Sequence, residues 1–148
     1  MKDIYNFLQL TEKLSTSGMP TPEQLPEVAE AGVQFIINLA TSKSEGWIPN
    51  EDELVKGLGM GCLSIPVEWD NPTQENLSDF LDAMDAHNSE RVLVHCQANY
   101  RATAFVTLYR ILRLGWKKED AFRDLRKIWN LKEYPIWKKF IEENLPSD

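Results

Sequence analysis

His95-Cys96-Gln97-Ala98-Asn99-Tyr100-Arg101-Ala102-Thr103 follows the apolar run Val92-Leu93-Val94 and opens a segment with Phe105, Leu108, Tyr109 and Leu112 at helical spacing. The order is therefore strand, tight loop, helix N-terminus. A loop in that place points several backbone N–H groups into one cavity, and the helix end adds partial positive charge. That field favours the thiolate of a cysteine at the strand end. A thiolate, an arginine fork and a ring of amides together suit a phosphoryl group, with a nucleophile below and donors around its oxygens.

The segments on either side set this junction in an α/β chain. Thr21-Pro22-Glu23-Gln24 reads as an N-cap, a proline at N1 and a capping-box glutamine. The helix it opens runs to about Glu30 and stops at Gly32. Val33 to Ala40 is too continuously apolar for a sheet with one wet face, so it reads as a strand buried on both sides. Asn50-Glu51-Asp52-Glu53 caps a short helix ending at Gly57 or Gly59, and Cys62 to Val67 is a further strand candidate. Asn71-Pro72-Thr73-Gln74 caps a helix with Leu77, Phe80, Leu81 and Met84 inward, and His87 reads as its solvated end. Ser17-Gly18-Met19-Pro20 ends an early extended piece or turn. Helices over about Lys117–Trp129 and Pro135–Asn144 close the chain. Trp116, Phe122, Trp129, Trp137 and Phe140 read as the core and docking contacts of these last helices. Alternating strands and helices predict a mainly parallel central sheet with helices on both faces. Ligands in such sheets sit beyond the carboxyl ends of the strands, which is where His95 meets Cys96.

With 148 residues, 43% apolar and 26% charged, the expectation is one domain over residues 1–148 with one adequate core. The net charge of −7 argues against nucleic acid or an anionic membrane as partner, but not against a small anion held in a local field. No apolar run approaches the ~20 residues of a membrane span. Met1-Lys2-Asp3-Ile4-Tyr5 lacks a signal-peptide pattern. Two cysteines make no disulfide framework, so a reducing, cytoplasmic setting is expected. Cys62 reads as a buried strand thiol, with oxidative pairing to Cys96 as the alternative. No Cys/His spacing predicts a metal, and no glycine pattern predicts a dinucleotide or nucleoside triphosphate.

His-Cys, a short loop, Arg and a hydroxyl residue resemble the H-C-x5-R-[ST] signature of the cysteine-dependent protein-tyrosine and dual-specificity phosphatases. Here Arg101 follows four intervening residues, Ala102 occupies the usual arginine place, and Thr103 holds the hydroxyl place. Asn99 stands where those loops often carry glycine, and asparagine tolerates φ > 0 better than most residues. The arginine is displaced one place, about 100° and about 1.5 Å on a helix. Either the loop is rebuilt so that Arg101 still faces the anion, or Arg101 points away. Ser17 to Pro20, the capped helix after it and the strand Ile36 to Leu39 also resemble the small bacterial phosphatase-like proteins of the beta-lactamase-hydrolase-associated type.

The resemblance implies a phosphomonoester hydrolase with Cys96 as nucleophile and a phosphocysteine intermediate. Its substrate is then a phosphorylated protein or a small phosphomonoester, and no cofactor is implied. Arg101 clamps phosphate oxygens, with Gln97, Ala98, Asn99 and Tyr100 lending mainly backbone N–H groups. His95 braces the loop and favours the thiolate. Thr103 either donates to the departing sulfur or satisfies the helix start. The general acid is expected in Val67-Glu68-Trp69-Asp70-Asn71-Pro72, with Asp70 first and Glu68 second. A weak or inactive relative that binds phosphate or a phosphorylated partner is the alternative.

Overall fold

The computed structural model describes residues 1–147. Five strands form one sheet: β1 (Leu8–Gln9), β2 (Leu14–Ser17), β3 (Phe35–Asn38), β4 (Gly61–Ser64) and β5 (Val92–His95), in the spatial order β1-β2-β5-β3-β4. Only β1 is antiparallel to its neighbour. The early extended piece of the sequence is thus β2, and it carries a short hairpin arm, β1, that no residue pattern announces.

The register explains where a site can form. Ser17 pairs with His95, His95 with Asn38, and Asn38 with Ser64. Four strands therefore end on polar residues in one row at their carboxyl ends. β5 lies in the middle of the sheet, so the chain leaving His95 emerges at the centre of that edge.

Six α-helices cover the faces: α1 (Leu25–Glu30), α2 (Glu51–Gly57), α3 (Gln74–Ala86), α4 (Tyr100–Leu112), α5 (Lys118–Leu125) and α6 (Pro135–Asn144). Side chains alternate along the strands, which splits the core in two. Ile36 and Leu93 face Leu25, Val28 and Val55 of α1 and α2. Ile37, Val92 and Val94 face the layer built by α3, α4, α5 and α6. Both faces are dry, which accounts for the unbroken apolar strands. α4 runs through this second layer, and every residue from Arg101 to Ile111 is buried. Phe105 meets Phe80 edge-on at 5.4 Å, and truncating such a buried ring to alanine costs about 3–5 kcal/mol.

Capping follows the sequence at Thr21 and Thr73, whereas Asn50 makes no side-chain cap bond at the start of α2. The Thr21 N–H donates to Gln24 Oε1 at 2.9 Å, opening a 3-10 turn ahead of α1. Thr73 and Asn76 cap α3 reciprocally. Other readings differ from the structure: the strand read over Val33 to Ala40 narrows to Phe35–Asn38. β4 stops at Ser64 rather than Val67 because the register slips there: the Ile65 N–H donates to the Asn38 carbonyl at 2.9 Å and the Val67 N–H to the next carbonyl, Leu39, at 3.1 Å. α5 stops at Leu125, after which the chain turns and brings the Trp129 indole back toward α4. His87 is not simply solvated: it stacks on Phe35 at 3.7 Å, and its Nδ1 lies 2.8 Å from Glu90. No helix among the described residues is long and apolar enough to cross a membrane.

Candidate active site

Beyond the carboxyl ends of β5 and β3 lies a cavity of about 490 Å³. Cys96, Gln97, Ala98, Tyr100 and Arg101 line one side. Glu68, Trp69 and Asp70 line another, and Thr41, Lys43, Ser44 and Tyr134 complete it. The Cys96 loop, Arg101 and both acid candidates thus share one space.

The loop is held from behind by the N-terminal segment. Asn99 has φ 71°, the left-handed conformation that lets the chain turn into α4. Its Nδ2 donates to the Asn6 carbonyl at 2.8 Å and to Thr16 Oγ1 at 3.0 Å. In return Asn6 Nδ2 donates to the Ala98 carbonyl at 3.0 Å, and the Met19 N–H donates to the Gln97 carbonyl at 2.9 Å. A trans peptide points its C=O and the following N–H in opposite directions. Pulling the Gln97 carbonyl backward therefore turns the N–H group of Ala98 toward the cavity, whereas Asn99 is fully buried and does not line it. Gly18 permits this approach, since a Cβ there would lie 2.6 Å from the Gln97 carbonyl oxygen. The Gln97 side chain accepts from the Glu45 N–H at 2.9 Å, tying the loop to residues 41–47.

The displaced arginine faces the cavity. Arg101 is buried, with Nη1 donating to the Val67 carbonyl at 2.8 Å and Nη2 to Ser44 Oγ at 3.4 Å. Neither solvent nor an acidic side chain takes it. Ala102, at the usual arginine place, is fully buried in the core beneath α4. The turn at Asn99 has rotated the helix start so that residue 101 looks out and residue 102 looks in.

His95 is fully buried between two acceptors. Its Nε2 lies 2.8 Å from Glu51 Oε2 and its Nδ1 3.3 Å from the Cys96 carbonyl. In sequence Glu51 is one of several charges at a helix N-terminus. Nothing there marks its burial, because the neighbouring Asp52 and Glu53 are equally acidic, although only Glu51 turns inward.

Thr103 has two roles open to it in sequence, at the sulfur or at the helix start. Its hydroxyl donates to the Asn99 carbonyl at 2.8 Å and accepts from Trp129 Nε1 at 3.0 Å. Two residues beyond Arg101 is about 200° around the helix, and this hydroxyl meets the Trp129 indole from the turn after α5. It satisfies the helix start.

Asp70 and Glu68 sit on an exposed turn closed by the Glu68–Asn71 bridge. Glu68 approaches Lys43 at 3.8 Å, an exposed ion pair of small energetic value. Among the described residues the Asp70 carboxylate has no partner. Trp69 between them belongs to an aromatic cluster: it stacks with Trp137 at 5.6 Å, while Tyr100 stacks on Trp129 at 4.7 Å. Burial, then a hydrogen bond with Tyr134, raises the Tyr100 phenol above its ordinary pKa.

Cys62 lies away from this site. It packs with the α1/α2 core and Cys96 with the opposite one, with β3 between their strands. Both are free thiols.

Residues 8–134 match the family described as DSP-PTPase phosphatase fused to NAD+ kinase. The chain belongs to this family. A crystal structure of a DUF442 protein from Shewanella putrefaciens is 36% identical, with a TM-score of 0.87, covering 97% of this chain and 90% of that one. The Xylella fastidiosa beta-lactamase hydrolase-like protein is 26% identical over 116 residues, 76% of this chain and 27% of its own length. The dual specificity protein phosphatase TpbA of Pseudomonas aeruginosa is 23% identical over 123 residues, 82% of this chain and 53% of its own. The chain thus spans between about a quarter and a half of these curated relatives. The TpbA complex with phosphotyrosine has the same fold, at 17% identity, a TM-score of 0.73, and coverage of 92% of this chain and 82% of that one. The cysteine-dependent phosphatase superfamily expected from the Cys96 loop is therefore the right one, as is the α/β fold.

Proposed function

We propose that the chain hydrolyses phosphomonoesters through a phosphocysteine on Cys96. The observation that carries this reading is the meeting of Cys96, Arg101 and Asp70 on one cavity at the helix N-terminus. Cys96 Sγ attacks phosphorus, forming the S–P bond as the P–O bond to the leaving group breaks. Asp70 gives its proton to the departing oxygen. Water then attacks phosphorus, Asp70 takes its proton, and the S–P bond breaks to return the thiolate.

Arg101 and the amides of the loop hold the phosphoryl oxygens through the transition state. Arginine has five N–H donors, and the bonds to Val67 and Ser44 leave three for the substrate. Asp70 is favoured over Glu68 because Glu68 leans toward Lys43. His95 braces the loop through the Cys96 carbonyl. The aromatic wall of Trp69, Tyr100 and Tyr134 suits an aryl phosphate such as a phosphotyrosine side chain. A reducing compartment keeps Cys96 competent.

The test is hydrolysis of para-nitrophenyl phosphate by the reduced protein from about pH 5 to about pH 8, beside Cys96→Ser. Turnover lost in Cys96→Ser is the expected result. Turnover that survives the substitution overturns the mechanism. Stabilisation against heat by vanadate, with no turnover in either protein, points instead to a phosphate-binding domain.

A further inference from the structure

The acid turn is held at two carbonyls by two distant parts of the chain. On the cavity side Arg101 Nη1 donates to Val67 O at 2.8 Å. On the far side Trp137 Nε1, from α6, donates to Trp69 O at 2.7 Å. Between them the turn closes on itself through the Asn71 N–H on the Glu68 carbonyl at 3.2 Å.

We propose that Trp137 is the positioning residue of the general acid, acting through the Trp69 carbonyl on the orientation of Asp70. This rests on the phosphatase reading above. The Trp69 carbonyl and the Asp70 N–H belong to one planar peptide unit. Fixing that carbonyl fixes the plane from which the Asp70 side chain leaves. Trp137 is itself closely packed: it is 1% exposed and wedged among Phe105, Trp129 and Phe140 at ring distances of 5.9–6.3 Å. Its indole carries a single donor, and that donor is committed to the acid turn. Trp69 is 39% exposed, so packing alone does not fix the turn. The stack of the two indoles at 5.6 Å and 29° and the N–H bond supply what burial does not.

Trp137 does not line the cavity, and it lies outside residues 8–134 that match the family. The last helix therefore does more than complete the core. It begins at Pro135, next to the cavity-lining Tyr134, and within its first turn reaches the back of the acid turn. A shift of the Asp70 carboxyl by about an ångström removes it from the reach of a leaving oxygen.

General acid help matters most when the leaving group is poor. The experiment therefore compares kcat/KM, which ends at phosphocysteine formation, on phenyl phosphate and on 2,4-dinitrophenyl phosphate, whose leaving group departs without a proton. The variants are Trp137→Phe and a protein carrying benzothienylalanine at 137, which keeps the indole shape and lacks the N–H. The ratio of the two kcat/KM values on one sample is independent of the folded fraction, and the isostere keeps the core filled if phenylalanine does not. The dinitrophenyl-to-phenyl ratio is expected to rise about tenfold, part of the hundredfold or more that a general acid supplies. In an Asp70→Asn background the same change at 137 adds nothing to the ratio. An unchanged ratio overturns the proposal, as does an equal rise in the Asp70→Asn background. A wild type that hydrolyses neither ester overturns the phosphatase reading and this proposal with it.

Discussion

His95 and Glu51 form a buried pair across the sheet edge, Nε2 to Oε2 at 2.8 Å, joining the strand that carries Cys96 to the first turn of α2. Among the described residues the other Glu51 oxygen has no partner. Glu51→Ala leaves the buried imidazole without its acceptor, and an unsatisfied buried donor costs about 1–3 kcal/mol. Glu51→Gln keeps an oxygen acceptor and is expected to lose less than half as much. Urea unfolding at constant m-value measures both. Equal losses in the two variants would show that the bond from His95 is not what Glu51 contributes.

The spacing of the arginine yields a second prediction. Arg101→Lys keeps the charge and loses the fork that joins Val67, Ser44 and the substrate. Loss of such a donor lowers kcat/KM by about 10²–10³, to be read with an aryl phosphate. Restoring the common spacing by Arg101→Ala with Ala102→Arg does not rescue activity. Position 102 is fully buried in the core, where an unpaired guanidinium costs several kcal/mol, so the melting temperature also falls.

What sequence alone reveals follows a physical pattern. Strand β5, the loop and α4 are readable because periodicity, charge and the His95–Cys96 pair all point one way. The turn at Asn99 is readable because few residues accept its φ. The direction of Arg101 is not, since it depends on how the loop is pulled from behind by Asn6, Gly18 and Met19, residues about 80 or more positions away. The 41–47 segment and Tyr134 give no signal for the same reason: only the closed fold sets them against the cavity. Thr103 has two compatible roles in sequence, and the partner that decides between them, Trp129, comes from a turn that no local pattern places.

Gly18 and Gly57 respond to alanine in opposite ways. A Cβ on Gly18 meets the Gln97 carbonyl oxygen at 2.6 Å and the Tyr5 carbonyl oxygen at 2.9 Å. Both are backbone atoms and cannot swing aside, so Gly18→Ala is expected to cost about 1–3 kcal/mol and to slow turnover by displacing the loop. Gly57 ends α2, and a Cβ there would have nothing within 4 Å. Gly57→Ala therefore stabilises by about 0.4–1 kcal/mol. Thermal melts of the two variants give shifts of opposite sign.

Cys62 sets a limit at high pH. Burial, then the charges of Glu51 and Asp52, push its thiol up to about 11 from the ordinary 9.0. In the unfolded chain the proton leaves near 9.0; in the folded protein it is held to about 11. The folded state thus binds more protons across that window, and stability falls as pH rises through it. Below it the full contribution is present. Cys62→Ala removes this source of decline, so the difference in urea midpoint between variant and wild type changes in the variant's favour from about pH 9 to about pH 11. The same raised pKa keeps Cys62 a thiol near neutrality and slow toward iodoacetamide. A midpoint difference that stays flat across the window would mean that Cys62 ionises alike in the folded and unfolded chain.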